Sequence, residues 1–421
     1  MTKPASIASA SWLKDESLQR LLGVLSASGE ESRVAGGAVR NTLLGQPVSD
    51  IDIATTNHPD ETVRRVEAAG FKAVPTGAEH GTITVIAHGK PYEVTTLRAD
   101  IETDGRRAKV QFGRDWKRDA ERRDFTINGL YAEADGTVVD LVGGLADLES
   151  RTLRFIGDPE IRIREDYLRI LRFFRFFAWY GSGRPDAEGL KVCARLKDGL
   201  DQLSVERVWT ELKKLLSAPD PSRALLWMRQ AGVLTKVLPE SEKWGIDAIH
   251  GLVKAEKDLG WHSDPLLRLE AIVPPDDMRM VALGERLRLS NAAAERLCDW
   301  ASTEAVSPRA SEAELAKKLY NGKKQGFIDR LRLSLASART KAVEDNQALV
   351  EAGGYSRLLA YVEKWRRPQF PLKGNDLAEL GMEQGKELGG TLKKLETIWV
   401  ESGFTLDRSA LLERAAEILK N

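Results

Sequence analysis

Cysteine is nearly absent. Cys193 and Cys298 are the two in 421 residues, too few for a disulfide framework or a thiolate zinc site. Histidine is almost as scarce, and its five copies, at positions 58, 80, 88, 250 and 262, fall into no ligand spacing. Any metal must therefore sit on carboxylates. No apolar run approaches the ~20 residues that a bilayer span requires, which predicts no membrane partner. The N-terminal MTKPASIASASWLKDE has one Lys, no Arg and no continuous apolar segment. It fits neither a secretory signal nor an Arg-rich transit peptide, and it predicts a cytoplasmic protein. An excess of charge is missing too: 63 Lys plus Arg balance 63 Asp plus Glu, so no global field draws the chain to a polyanion.

What the chain does have is ample core material, 42% hydrophobic with 30% charged residues, enough for two to four compact units. Helix and strand signals mix up to about Arg151, and nearly everything afterwards reads as helix. After an amphipathic helix around Trp12 to Leu25, extended runs occur at 33–37, 50–56, 81–89 and 90–97, the last two joined as a hairpin at His88-Gly89-Lys90. Pro59 opens a helix that Gly70 closes. The polar stretch from Arg98 to Lys117 lacks periodicity and is expected to be a long, functional loop. The fold class is α+β: a small mixed sheet with helices, followed by an all-α remainder.

The first chemistry-bearing stretch is Gly36-Gly37-Ala38-Val39-Arg40, followed by Asp50-Ile51-Asp52-Ile53. Paired glycines between strand and helix let the backbone approach a phosphate, which the helix N-terminus favours. Arg40, one turn on, can reach the same phosphate. On a strand, Asp50 and Asp52 share a face, and two carboxylates beside a phosphate cradle suit two Mg²⁺ ions bridging a nucleotide and an attacking hydroxyl.

A second pattern runs from Glu165 to Phe177. Read as one helix, it places Asp166, Arg169, Arg172 and Arg175 on a single stripe, with apolar residues over the rest of the circumference. Guanidiniums on so buried a helix need partners, either acids of the protein or an anionic ligand. A third feature is local charge. Between Lys317 and Lys341 eight basic residues face one acid, a charge of +7 over 25 residues. Within it Lys317, Lys318, Lys323 and Lys324 are either an RNA-binding grip or a solvated helix face.

GGAVRNTLLGQPVSDIDIATT, ERRDFTINGL (121–130), VVDLVGGLADLESRTLRFIGDP (138–159), REDYLRILRFFRF (164–176) and SVERVWTEL (204–212) together resemble, in order, the motifs of the class II tRNA nucleotidyltransferases, or CCA-adding enzymes, and their relatives the bacterial poly(A) polymerases. The segment 371–395 resembles the tail of the same enzymes. The resemblance implies a catalytic nucleotidyltransferase head (1–150), a helical neck (151–235), a body (236–350) and an RNA-binding tail (351–421). It implies addition of CMP and AMP from CTP and ATP to the tRNA 3′ end, with no protein partner. Asp50 and Asp52 would hold Mg²⁺, and Glu93 is the candidate for a third metal carboxylate. Gly36, Gly37 and Arg40 would hold the triphosphate, and Arg123, Asp124 and Asn128 the nucleotide. Glu165, Asp166 and Arg169 match the family's base-selecting motif, and Arg172 and Arg175 would face the triphosphate. Asp140 and Asp147 are expected to be structural ties.

Donor and acceptor inventories explain how such a pair would choose a base. Asp166 only accepts and Arg169 only donates. Cytosine and adenine both present an amino donor beside a ring-nitrogen acceptor, whereas uracil and guanine reverse that order and would leave each group unpaired at about 1–3 kcal/mol apiece. Other readings stay open: a poly(A) polymerase of the same fold, an RNA-binding protein without catalysis, and a partial enzyme adding only CC or only A. The absence of a basic cluster after Asp52 stands against the first, the intact Asp50, Asp52 and Arg40 against the second, and the long 98–117 stretch against CC-only addition.

Overall fold

The computed structural model describes residues 5–77, 81–104, 107–242 and 245–420. It divides into two compact units, one ending at Pro239 and the other beginning at Glu240.

The first unit contains strands β1 (Ser32–Ala35), β2 (Asp52–Thr55), β3 (Lys72–Gly77), β4 (Thr82–Ala87), β5 (Lys90–Thr96), β6 (Arg98–Asp104), β7 (Arg107–Phe112), β8 (Leu130–Ala132) and β9 (Val138–Asp140). Seven form a mixed sheet in the order β3-β4-β5-β2-β1-β8-β9. In β4 the residues Ile83, Val85 and Ala87 are buried in alternation, the period-two pattern of a strand with one face on the core. The β4–β5 hairpin closes through His88 and Gly89, with φ of 49° and 82°, as a two-residue turn matching strand twist demands. β3 was not foreseen. It carries Pro75, which a strand tolerates at the sheet edge where β3 lies.

The expected long loop is a second correction. β6 and β7 pair as an antiparallel ribbon from Arg98↔Phe112 to Asp104↔Arg107, with an irregularity between Asp100 and Glu102. Ala99 and Ile101 in β6, and Ala108, Val110 and Phe112 in β7, do fall at alternate positions, but the alternation is short and lies among charged residues, so the stretch reads as a polar loop.

Helices of this unit are α1 (Glu16–Leu25), α2 (Gly37–Leu43), α3 (Pro59–Ala68), α4 (Trp116–Glu121), α5 (Gly144–Glu149), α6 (Pro159–Glu165), α7 (Leu168–Tyr180), α8 (Ala187–Arg195), α9 (Val205–Leu216), α10 (Ser222–Gln230) and α11 (Val233–Val237). Asp140 accepts the N–H groups of Val142, Gly143, Gly144 and Leu145 to start α5, and Asp147 accepts from Thr126 Oγ1 at 2.7 Å and Arg154 Nε at 3.3 Å. Phe125 and Phe155 pack on Phe173 of α7, the last two rings stacked at 5.5 Å. This apolar packing fixes α7 against the head.

The second unit is helical among its described residues: α12 (Ala248–Leu259), α13 (Pro265–Ile272), α14 (Asp277–Arg286), α15 (Asn291–Ser302), α16 (Glu312–Asn321), α17 (Lys324–Lys341), α18 (Asn346–Lys364), α19 (Gly374–Glu379), α20 (Lys386–Glu401) and α21 (Arg408–Lys420). Leu331, Leu358 and Val362 centre one of its cores, and Leu377, Leu395, Trp399 and Leu411 another. No described helix is long and apolar enough to cross a membrane.

Candidate active site

After β1 the chain turns at Gly36, whose φ of +63° strains residues other than glycine. A Cβ added there would stand 3.1 Å from Arg123 Nη1, so the bare backbone lets that guanidinium come close. Gly36 and Gly37 border a cleft of about 500 Å³, walled by Arg40, Asp52, Arg123, Asp124 and Asn128 from the head and by Asp166, Arg169 and Arg172 from α7 and the residues before it.

Arg40 is buried. It donates to Asn128 Oδ1, to Asn41 Oδ1 at 2.9 Å and to Tyr180 Oη at 2.8 Å, with the Tyr180 ring centroid 4.0 Å from its guanidinium carbon. All three partners are neutral. Burial lowers the Arg40 pKa, but a guanidinium stays charged at neutral pH, so its charge suits an incoming phosphate. Arg123 reaches Asp119 Oδ2 at 3.2 Å and the Asn128 carbonyl at 3.3 Å. Burial works against its charge, yet Tyr131 and Asp119 more than offset it and raise the pKa.

Asp124 is committed inside the protein. Its Oδ1 accepts from Asn128 Nδ2 at 2.8 Å and Phe125 N–H at 2.9 Å, and its Oδ2 from Arg172 Nε at 2.8 Å. Burial pushes its carboxyl up, but Arg172 and Asn128 hold it below the ordinary carboxylate value. It borders the cleft while orienting Asn128 and Arg172.

The single stripe-bearing helix expected over 165–177 is broken. α6 ends at Glu165, and Asp166 is extended, with φ −158° and ψ 107°. Its Oδ1 accepts the Leu168 N–H at 3.1 Å, a local side-chain bond by which Asp competes with helix continuation. Its Oδ2 accepts from Arg207 Nη2 at 2.6 Å. Arg169, on α7, donates to Glu165 and to the Arg162 carbonyl at 2.6 Å. Asp166 and Arg169 therefore both face the cleft, each held by a different partner. Glu165 and Arg175 do not line it. Glu165 holds Arg162 and Arg169, and Arg175 pairs with the buried Glu211 of α9 while its guanidinium lies 4.1 Å from the Phe176 ring centroid. Arg175 thus turns toward an internal acid, away from the place expected for a triphosphate ligand. Arg207 was missed as a site residue. It lies in SVERVWTEL, where nothing in the spacing tied it to Asp166, 41 positions earlier.

Asp52 opens β2 and stands opposite Glu93 of β5 in the parallel ladder. Asp50 precedes the strand, its Oδ2 accepting from Ser49 Oγ at 2.9 Å. The strand expected at 50–56 starts two residues late because β1 pairs only as far as Ala35↔Asp52 before Gly36 turns away. Asp50, Asp52 and Glu93 still line one hollow, and Asp52 borders both it and the main cleft. Desolvation first, then the negative charges of Glu93 and Asp50, raise the Asp52 pKa against the opposing Arg123. Mutually repelling carboxylates with only oxygen donors fit a hard divalent cation. Among the described residues no three acid, His or Cys side chains are already drawn together as a ligand set.

Residues 32–154 match the family model for the poly A polymerase head domain, and residues 185–244 match that for the probable RNA- and SrmB-binding site of polymerase A. The mitochondrial CCA tRNA nucleotidyltransferase 1 of Homo sapiens is 34% identical over 402 residues, covering 94% of this chain and 89% of that protein. The CCA-adding enzyme of Levilactobacillus brevis is 31% identical over 94% of this chain and 96% of its own length. The chain belongs to the CCA-adding tRNA nucleotidyltransferase family. Among solved structures, the Bacillus stearothermophilus CCA-adding enzyme in complex with CTP matches with a TM-score of 0.69 at 25% identity, over 96% of this chain and 97% of that one. The Thermotoga maritima CCA-adding enzyme complexed with tRNA shares the fold at a TM-score of 0.61 and 19% identity, over 95% and 94% of the two chains. Enzymes of this nucleotidyltransferase family generally use divalent metal ions.

In this tRNA nucleotidyltransferase the basic cluster of the second unit is not a free patch. Lys317 donates to Glu401 Oε2 at 3.0 Å, Lys318 to Glu304 at 2.7 Å and Lys323 to Glu295 at 3.1 Å. Lys324 donates to the Glu363 carbonyl at 2.8 Å and the Trp365 carbonyl at 3.1 Å. For Lys317, Lys318 and Lys323 the local charge counted along the sequence is offset in space by acids outside that stretch, which a linear window does not see.

Proposed function

We propose that this chain transfers CMP and AMP from CTP and ATP to the 3′ end of tRNA without a nucleic-acid template, releasing pyrophosphate. The observation that carries this is one cleft bordered by Gly36 and Gly37, the neutral-partnered Arg40, the carboxylate Asp52 and the pair Asp166 and Arg169. In this reading the bare backbone at Gly36-Gly37 admits the phosphates and Arg40 binds them. Asp166 and Arg169 read the base edge. Arg207 and Leu168 use two of the roughly four lone-pair sites of Asp166, and a guanidinium has five N–H groups, so both keep capacity for a base. Cytosine and adenine offer that pair a donor beside an acceptor; uracil and guanine do not. Asp50, Asp52 and Glu93 would hold Mg²⁺, which when bound lowers the pKa of the RNA 3′-hydroxyl and neutralises the triphosphate. That hydroxyl gives up its proton to solvent and its oxygen bonds to the α-phosphorus as the bond from the α-phosphorus to the α–β bridging oxygen breaks, and pyrophosphate leaves with that oxygen. The head is assigned to 1–150, the neck to 151–235, the body to 236–350 and the tail to 351–421.

The test is to supply tRNA lacking CCA, tRNA ending in CC, and an unstructured RNA, each with labelled CTP or ATP. Addition of C, C and A to the first and of a single A to the second supports the reading. Long A tracts on the unstructured RNA would make the chain a poly(A) polymerase, and addition to one tRNA alone would make it a partial enzyme.

A further inference from the structure

A second cavity, of about 510 Å³, lies wholly within the second unit, between α12, α13, α15, α17 and α18. Glu270 and Trp300, 1% and 2% exposed, line it. Neither carboxyl oxygen of Glu270 nor the Trp300 Nε1 has a hydrogen-bond partner among the described residues. Arg296 comes within 4.0 Å of Glu270 Oε1, but it is engaged elsewhere. Its Nε and Nη2 donate to Asp329 at 2.9 Å, and Nη2 also lies 2.7 Å from Asp264. Arg330, on the cavity wall, gives two N–H groups to the carbonyls of Trp300 and Ala301 at 3.0 Å.

An unmet carboxyl and an unmet indole N–H are each costly to bury. Burial and the neighbouring Asp329 both push the Glu270 pKa well up, with Asp264 adding and Arg296 and Arg330 opposing, a direction that favours the protonated carboxyl, which presents one O–H donor beside one carbonyl acceptor. With Glu270 neutral, the ionic groups on the cavity wall cancel, Arg330 and Lys341 against Asp247 and Glu351. Leu252, Ala271, Pro275 and Leu333 supply apolar wall. With a protonated Glu270 the cavity wall carries no net charge and brings two donors and one acceptor next to apolar surface.

We propose that this cavity binds a small uncharged planar ligand that carries a hydrogen-bond donor beside an acceptor, as a carboxamide does, paired to the Glu270 carboxyl and the Trp300 indole N–H. The site is separate from the nucleotide cleft, and none of the residues assigned to transfer lies in it.

Benzamide is the probe, with benzylamine as the cationic control and toluene as the apolar one, titrated into the full chain and followed by calorimetry and protein NMR. Benzamide is expected to bind with a Kd below about 1 mM, at least tenfold tighter than either control. Glu270→Gln, which keeps a donor beside an acceptor, should hold that affinity within about threefold. Glu270→Leu should lose binding at least tenfold while the melting temperature stays level or rises, because a buried polar group without a partner is removed. Trp300→Phe should weaken binding about fivefold or more. Failure of benzamide to bind, tighter binding of benzylamine with loss in Glu270→Gln, or unchanged affinity in a folded Glu270→Leu would each overturn the proposal.

Discussion

Replacing Asp124 with Asn tests whether that carboxylate works through Arg172. Its charge is the near partner of Arg172, with Nε at 2.8 Å, and the Arg172 side chain is 32% exposed. Breaking a fully buried pair costs about 3–5 kcal/mol. Arg172 retains some access to water and has Glu211 at 4.0 Å as a second acid, so the expected loss is reduced to about 2–3 kcal/mol. In a unit of this size that corresponds to a fall in melting temperature of about 5–10 °C. Arg172→Met should cost a similar amount and the double mutant little more than either, giving a coupling energy above about 1 kcal/mol. The pH dependence has a definite sign. The folded Asp124 pKa is depressed, so the advantage over Asn is full above the unfolded value of about 3.9 and shrinks as pH falls through the folded value. Thermal denaturation of the four proteins between pH 3 and 7 measures all of this. A folded Asp124→Asn within about 1 °C of the parent at pH 7, or a difference that grows on acidification, would refute the reasoning.

Three further outcomes are expected. Asp52→Asn should abolish transfer and leave the metal-free melting temperature level or raised at neutral pH. The folded pKa of Asp52 is raised, so the stability tied to its protonated form is lost as pH rises; added Mg²⁺ should then stabilise the parent but not the mutant, and transfer above about a tenth of the parental rate, a loss under about 1.4 kcal/mol, would remove Asp52 from the chemistry. Arg207→Ala should raise the KM for CTP and ATP together by releasing Asp166, and an effect on only one nucleotide would point to separate base pockets. Changing Lys317, Lys318, Lys323 and Lys324 together to Ala should leave the salt dependence of the tRNA KM nearly unchanged from the parent, since the first three are paired with acids and Lys324 is held by two backbone carbonyls; a slope reduced by several units would restore them as phosphate contacts.

The head was legible in the sequence wherever one face of an element is buried: the alternation of β4, the turn residues His88-Gly89, and the Pro59 and Gly70 limits of α3. The cleft was legible through motifs, and Gly36, Arg40, Arg123, Asp166 and Arg169 do line one space. Three things were hidden for separate physical reasons. The β6–β7 ribbon lies in a charge-rich stretch where the alternation of Ala108, Val110 and Phe112 is short and weak. The break at Asp166, where the side chain accepts from Leu168 N–H and Arg207, falls within a segment whose composition suits a continuous helix. The partners of Arg175, Arg207 and the four lysines come from elements distant in sequence, and charge counted along a line carries no record of them.

The polar ties across the cleft bear on how it can move. Arg40 of α2 bonds Tyr180 at the last turn of α7, and Asp124 bonds Arg172 at its middle, while Phe125 and Phe155 pack on Phe173 between them. The head and α7 are riveted at two points along one axis, with a greasy bearing between. A hinge at this seam would have to expose a desolvated guanidinium or shear that aromatic stack. If Asp166 and Arg169 read the base as proposed, adjustment between a small pyrimidine and a larger purine would fall to those two side chains, held by Arg207 and Glu165, rather than to a movement of the frame.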